Sequence, residues 1–371
     1  YSPENGFTAK GTLSLNEFAI IGPGFEDISP SLLFKNHISV DLKGDIEPEL
    51  KIIGKLAVND SSAFISADCG LSYSMSDIKA AGNLSVSSPG RYRPLYQQYL
   101  IRGKADIPFE IALQMGDTDS FTALGSFIAQ ELYVSSVDIR INSLSGELPF
   151  KYDSAIAADL SLPEPLERPL ETLSNYERSK HNLTISRLYI QEYYAEDIKI
   201  KVRFDNYLDL PDMYFRFLGG NGIVSLTATI GLEFWLKMNF TNGYAYNLLK
   251  EAPKNYSKED SLINIHASIF GETDDLNGFL KMPALGRSVL LNVLQAVDPE
   301  EKDPQIESLK NKVKLLGYYP ETIELTLDGS TASVYVPLKK KGFNPINIPF
   351  SIQNIPIKKL MKSMIKEDSS Y

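Results

Sequence analysis

The sequence predicts a mainly β protein: an elongated, curved antiparallel sheet, half closed into a groove, with a few short amphipathic helices mostly toward the C-terminal end. Three observations predict it. Apolar residues recur at every second position over long stretches, the period of a strand with one apolar and one polar face. Turn-forming residues separate many of these stretches, as between successive antiparallel strands. Few segments carry the 3.6-residue period of a helix, and no sharp sequence repeat of fixed length is present.

Taken in order, Ile38, Val40, Leu42, Gly44 and Ile46 alternate with His37, Ser39, Asp41, Lys43 and Asp45. Leu50 to Val58, Ile65 to Met75 and Ile78 to Val86 follow in the same grammar, then Ile107, Phe109, Ile111, Leu113 and Met115. Leu144 to Phe150, Ile198, Ile200, Val202 and Phe204, and Ala332 to Leu338 complete the shorter runs. The longest is Val224, Leu226, Ala228, Ile230, Leu232, Phe234, Leu236, Met238 and Phe240, which reads as one strand of roughly 55 Å. Turns are expected at Asn59-Asp60, Ser88-Pro89-Gly90, Gly116-Asp117, Asp205-Asn206 and Asp328-Gly329. Gly44, Gly54, Gly82 and Gly146 fall on the apolar side of their strands, where glycine permits strong curvature.

Helical stripes are few. Pro165 to Tyr176 aligns Leu166, Leu170 and Leu173, and Arg91 to Ile101 aligns Tyr92, Leu95 and Tyr99. Ala284 to Val297 places Leu285, Val289, Val293 and Val297 at i+4, beside Leu290 and Leu294, and ends before Pro299. The next helix starts with Asp303 as N-cap and Pro304 at its first position and stops at Gly317, with a stripe of Ile306, Leu309, Val313 and Leu316. A final helix is expected over Lys358 to Ile365. The chain divides into residues 1–162 (first part of the groove), 163–180 (a proline-rich, helical linker), 181–283 (central groove) and 284–371 (helices, strands and a basic amphipathic tail).

Composition narrows the class. A net charge of −10 argues against a nucleic-acid partner. No run reaches the length of a membrane-spanning helix. One cysteine forms no intramolecular disulfide, and Cys69 falls on the apolar side of its strand, where a buried thiol is expected. His37, His181 and His266 lie far apart with no ligands at metal spacing, so neither metal nor cofactor is expected. No nucleophile elbow, zinc-protease, phosphate-loop or dinucleotide motif is present. Gly219-Gly220-Asn221-Gly222 lacks the following Lys-Ser/Thr of a phosphate loop and reads as a tight hairpin turn. Glu272-Thr273-Asp274-Asp275 lacks the later glutamate of a calcium loop and reads as a turn. Asn59, Asn83, Asn182, Asn239 and Asn255 head glycosylation triplets of the kind that arise by chance. The reading is therefore non-catalytic.

The segment from Asn182 to Lys362 resembles the AsmA/TamB-like proteins of the bacterial envelope, related in architecture to bridge-like lipid-transfer proteins. The resemblance lies in an ordered series. It begins with the strand pair Leu183-Thr-Ile-Ser-Arg-Leu-Tyr-Ile and Asp197-Ile-Lys-Ile-Lys-Val, then the loop Phe217-Leu-Gly-Gly-Asn-Gly opening the long strand. A helical insertion at Tyr244-Ala-Tyr-Asn-Leu-Leu and the strand Ile263-Asn-Ile-His-Ala-Ser-Ile-Phe-Gly follow. The helix ending Val297-Asp298-Pro299, the segment Glu301-Lys-Asp-Pro-Gln, the strand Ile323-Glu-Leu-Thr-Leu-Asp-Gly and the tail Ile352-Gln-Asn-Ile-Pro-Ile-Lys-Lys-Leu complete it. Residues before His181 fit in pattern only.

The resemblance implies lipid transport between envelope membranes, in the periplasm, by a protein anchored through a segment outside this chain. A concave apolar face would shield phospholipid acyl chains. Its lining would be Val224, Leu226, Ile230, Leu232, Phe234, Leu236, Met238 and Phe240, with Ile198, Ile200, Val202, Phe204, Ile38, Val40, Leu42, Ile107, Phe109 and Ile111. Lys358, Lys359, Lys362 and Lys366, after Lys339-Lys-Lys, form a basic amphipathic segment that would touch an anionic membrane or an envelope partner. Three alternatives stand beside this reading: a closed β-sandwich, a transmembrane β-barrel, and a surface adhesin or solenoid using Trp235 and Tyr214 as an aromatic platform.

Overall fold

The computed structural model describes residues 10–11, 15–18, 34–45, 50–59, 64–73, 77–92, 100–116, 119–136, 138–157, 160–167, 181–191, 193–244, 261–272, 275–283, 285–298, 302–340 and 347–357, with side chains from Cys69 onward except at 71, 73, 88–92, 293, 296–297 and 347–348. As the alternation predicts, the protein is mainly β, 72% strand, with three short helices among the described residues. The twenty described strands belong to one large antiparallel sheet that is not closed. Among the described residues no helix is long and apolar enough to cross a membrane. The chain falls into two compact units, Tyr1–Ser161 with Arg178–Asp209, and Leu162–Glu177 with Leu210–Tyr371.

In the first unit, β1 (Lys10–Gly11) and β2 (Leu15–Phe18) both pair with β3 (Phe34–Asp45). A meander follows: β4 (Leu50–Asn59), β5 (Phe64–Tyr73), β6 (Asp77–Tyr92), β7 (Leu100–Gln114), β8 (Ser120–Ser135) and β9 (Ile139–Asp153). After the single turn α1 (Ser154–Ala157) come β10 (Leu183–Ile190) and β11 (Tyr193–Asp205), still in antiparallel succession. Two expectations fail here. Ser88-Pro89-Gly90 is not a turn: β6 runs through it with a shift of register between Ser88 and Tyr92, the way a strand accommodates a residue that cannot donate to the ladder. The helix expected over 91–101 begins and ends in strand, Arg91-Tyr92 in β6 and Leu100-Ile101 in β7; residues 93–99 lie outside the described set.

β10 is shorter than its neighbours, and beyond its start at Leu183 β9 and β11 pair directly in parallel, Phe150 with Phe204 and Lys151 with Asp205. Asn182 holds the fork. Its backbone N–H donates to Ile200 (3.0 Å), and its carbonyl accepts from the Glu147 N–H (2.8 Å). Its side-chain amide donates to the Val202 carbonyl and accepts from the Val202 N–H (2.8 Å), so one asparagine mimics the next ladder rung. Gly146 makes the approach possible: its φ is +125°, and a Cβ there would lie 1.9 Å from the Asn182 carbonyl oxygen. Asn206, with φ 61°, closes the far side by accepting from the Asp153 N–H at 2.6 Å and donating to Lys151 at 2.9 Å. Asn182→Ala leaves the Val202 backbone groups unpaired and should lower the unfolding free energy by roughly 1–3 kcal/mol in urea titrations. An unchanged midpoint would show that the amide rung is dispensable.

The boundary between the units falls inside β12 (Tyr207–Phe217). The second unit continues with β13 (Gly220–Ala228), β14 (Phe234–Tyr244), β15 (Leu262–Glu272), β16 (Asp275–Pro283), α2 (Arg287–Val297), α3 (Pro304–Leu315), β17 (Tyr318–Pro320), β18 (Thr322–Asp328), β19 (Thr331–Lys340) and β20 (Asn347–Pro356). Pairing runs β13-β14-β15-β16-β18-β19-β20, with β17 also on β19. The glycine cluster does mark a turn: Leu218 (φ 50°) and Gly219 (φ 77°) form a two-residue connection with both residues in the left-handed region.

The single long strand from Val224 to Phe240 is not formed. It folds at Thr229–Glu233 into the β13–β14 hairpin, closed by Thr229 N–H to Glu233 (2.9 Å) and Leu232 N–H to Thr229 (3.2 Å). Val224 pairs with Met238, Leu226 with Leu236 and Ala228 with Phe234. Even positions face even positions, so the alternation passes through the hairpin unbroken and hides it from a reading by period. Ile230 and Leu232 therefore sit in the turn, 69% and 66% exposed, not in a strand. Leu232 holds φ 68° without the freedom of glycine. Leu232→Gly should raise stability by about 1 kcal/mol by relieving that strain, read as a higher urea midpoint; a lower midpoint would contradict it.

α2 and α3 answer their sequence signals. Asp303 caps α3 by accepting from the Gln305 and Ile306 N–H groups, Pro304 is its first residue, and Gly317 follows its end with φ +70°. Asp298 staples the connection, its carboxylate accepting from Lys302 N–H (3.1 Å) and Asp303 N–H (2.9 Å). Leu285, Val289, Leu290 and Leu294 are buried, with Ile306, Leu309 and Val313. Leu316, expected in that stripe, lies past the last turn and is 53% exposed. The side chains of Val293 and Val297 lie outside the described residues, as do the helical insertion after Tyr244 and the tail helix from Lys358. Pro165–Glu167 is irregular rather than helical, and the rest of that expected helix lies outside the description.

Candidate functional site

The cross-strand register joins the short apolar runs into rows. In the first unit one row passes through nine strands: Ile38, Val58, Ile65, Val86, Ala105, Ala129, Gly146, Leu183 and Ile200. A second runs Leu42, Gly54, Cys69, Gly82, Phe109, Gly125, Phe150 and Phe204, setting glycines among large side chains. The small members are needed: a Cβ on Gly125 would lie 2.5 Å from the Phe150 ring and 2.2 Å from the Pro108 carbonyl. Val40 lies in the row between these two, with Leu56, Ala67, Leu84 and Ile107. The opposite face carries Arg102, Lys104, Glu110, Gln130 and Glu147, all exposed.

Burial varies along this face. Ile198, Ile200 and Val202 are buried near the Asn182 fork, while Phe204, Ile107, Phe109 and Ile111 are half-buried. Phe121, facing Leu113 on the same side, is 38% exposed. Cys69 is half-buried rather than buried. The side chains of Ile38, Val40 and Leu42 lie outside the described residues. A hollow of about 640 Å³ belongs chiefly to the other face, against Gly70, Ser72, Lys79, Ala81, Glu110 and Lys151.

The second unit repeats the pattern. One row runs Leu226, Leu236, Ile269, Gly278, Leu327, Ala332 and Ile355, and the next Val224, Met238, Ala267, Leu280, Leu325, Val334 and Ile352. Leu226, Phe234, Leu236 and Met238 are half-buried, whereas Val224 and Phe240 are buried. Phe240 stacks on Phe215 (6.1 Å) and tilts against Phe217 (6.1 Å), over Gly222 and Gly243, where a Cβ would strike the Phe215 and Phe240 rings. Beyond it α2 and α3 cover the sheet through Ile323, Val336 and Leu338. The row of Leu226 and Leu236 has a buried cluster of its own at Leu327, Ala332 and Ile355, but Leu226 and Leu236 themselves are only half-buried.

The opposite face of β13–β15 is crossed by the strap Leu162–Glu167. Thr227 donates its hydroxyl to the Pro163 carbonyl (3.0 Å), Lys237 pairs with Glu164 (2.9 Å), and His266 lies 3.4 Å from Glu167. A cleft of about 250 Å³ remains beneath it, lined by Ser225, Lys237, Asn239 and His266. Trp235 stacks on its cross-strand partner Phe270 (4.2 Å), and Tyr214 donates to Asn221 (2.7 Å). Both are half-buried. Sequence period could not reveal the strap or the aromatic cluster, because both rest on contacts between segments far apart in the chain.

Among the described residues no group of three or more His, Cys, Asp or Glu side chains is placed to hold a metal ion. Lys358, Lys359, Lys362 and Lys366 lie outside the described residues. No protein family, no curated protein and no solved structure matches this chain. The difference in packing along the second unit's face has a direct test. Phe240→Ala should lower the unfolding free energy by about 3–5 kcal/mol, and Leu226→Ala by clearly less. Equal losses would mean that both ends are closed core.

Proposed function

We propose that this chain shields the acyl chains of phospholipids as they move between the membranes of a bacterial envelope. In this reading it is a non-catalytic, membrane-anchored periplasmic protein of the AsmA/TamB-like kind, serving outer-membrane lipid homeostasis. The observation that carries the reading is the set of register-matched apolar rows on one side of a sheet that is not closed, buried at Ala105, Ala129, Leu183 and Ile200 but half-exposed at neighbouring positions. Half-burial of Ile107, Phe109 and Ile111 supports it, since a sandwich core would enclose such residues.

The physical case is an energy barrier. Each methylene taken out of an apolar environment costs about 0.8 kcal/mol, so a sixteen-carbon chain leaving a bilayer bare would face on the order of 12 kcal/mol. A continuous apolar face lowers that barrier along its whole length. Aliphatic side chains offer area without directed hydrogen bonds, so selectivity among acyl chains would be low. Lipid would be held by the half-exposed parts of the rows, not by the end sealed with Phe240 and the two helices.

Native mass spectrometry with lipid extraction tests the proposal on the purified chain. Phospholipid should co-purify, and Ile111→Asp or Leu226→Asp should deplete it while the β circular-dichroism signal persists. A well-folded, lipid-free protein would remove the proposal.

A further inference from the structure

The two strand ends of the first unit differ in chemistry. Because β7 to β11 alternate in direction, Leu100, Ser135, Ile139, Ile190 and Tyr193 lie at one end, and Gln114, Ser120, Asp153 and Asp205 at the other. The second end is rich in carboxylates, with Asp77 paired to Gln114 and Asp119 beside Gly116. The first end carries Arg102, Arg140 and Arg187 together with Glu131, Asp138 and Glu196.

On its apolar side this end finishes in a row of three register partners, Ile139, Ile190 and Tyr193, which are 46%, 53% and 37% exposed. The next row inward is Ile141, Leu188 and Ala195, so the exposed tip is continuous with the apolar face. On the other side sits a cation–aromatic cluster. The Arg140 guanidinium lies 3.7 Å from the Tyr189 ring centre, the Tyr189 and Tyr194 rings are 5.6 Å apart, and Arg187 lies 5.6 Å from the Tyr194 ring and 3.6 Å from Glu196. A hydrogen bond from Arg187, above all, holds the Tyr189 phenol below its ordinary pKa. Ser136 N–H to Ile139 and Gln191 N–H to Asp138, both 2.7 Å, brace the connections.

We propose that this strand end seats the protein on an anionic phospholipid bilayer: Ile139, Ile190 and Tyr193 enter the acyl boundary while Arg140, Arg187 and the two phenols lie at phosphate level. Isoleucines exposed side by side are poorly placed in water and well placed in a bilayer. Tyrosine and arginine, each with an apolar body and a polar tip, suit the headgroup zone, and a guanidinium matches a phosphate in geometry. The inference deepens the lipid-shielding reading and rests on it: an acyl chain rising between Ile139 and Ile190 meets Ile141 and Leu188 next.

The test is co-sedimentation of the full chain with vesicles of mixed phosphatidylglycerol and phosphatidylcholine, and of phosphatidylcholine alone. Binding should favour the mixed vesicles and weaken with salt. Ile139→Asp with Ile190→Asp, and separately Arg140→Glu with Arg187→Glu, should each reduce it about tenfold. As a folding-independent check, Ile190→Trp should add emission that shifts to the blue with mixed vesicles. Wild-type protein that ignores both vesicles, tip variants that bind undiminished, or an Ile190→Trp emission that does not shift would each overturn the seat. Co-purified phospholipid in the tip variants separates the two ideas. Retained lipid with undiminished vesicle binding overturns the seat alone, and a lipid-free chain that still binds through the tip overturns the shielding alone.

Discussion

Cross-strand register is the constraint on which everything else in this protein depends. Side chains alternate across a strand, so a sheet keeps one apolar face only if every hairpin returns the chain with the same parity. A slip of one residue in any pair would turn the whole following strand over. Here the parity is kept from Ile38 to Ile200 in one unit and from Leu226 to Ile355 in the other. Where register does shift, between Ala129, Leu132 and Val134, the shifts compensate and Leu132, Leu144, Val134 and Ile141 stay on the apolar side.

Holding that register over so many strands takes local devices of a few kinds. Glycines stand where backbone or rings approach too closely for a Cβ, as at Gly146 beneath Asn182 and at Gly125 beneath Phe150. Asparagine side chains replace ladder rungs where a strand stops short, as Asn182 does for β10. Polar side chains fasten the other face, through Glu164 on Lys237 and Thr227 on Pro163. The surface pairs contribute little singly in water. The buried backbone groups that the asparagines satisfy matter more, because leaving them unpaired has no compensation.

The apolar face is not uniform, and that bears on function. Helices α2 and α3, with the Phe215, Phe217 and Phe240 rings, seal part of it into an ordinary core. Elsewhere Ile107, Phe109, Ile111, Leu226 and Leu236 remain half-exposed. A surface that is neither core nor fully wet suits a ligand that supplies its own apolar area. At the strand end of Ile139 and Ile190 that surface reaches solvent beside arginine and tyrosine, a combination suited to a bilayer boundary.

The sequence by itself determined the fold class, the apolar side of the strands whose alternation it shows and the caps of α3, because these follow from period and from local backbone chemistry. It located Asp303, Pro304 and Gly317 correctly for the same reason: a cap is made by neighbours in the chain. Period alone could not separate one long strand from the β13–β14 hairpin, since even positions meet even positions across the Thr229–Glu233 turn. Nor could it place Ser88-Pro89-Gly90 inside β6 or send Leu162–Glu167 across β13–β15. Those were decided by tertiary structure. A turn without strong turn residues is set by the pairing of the strands around it, and a strap is set by side chains that meet only after the sheet exists.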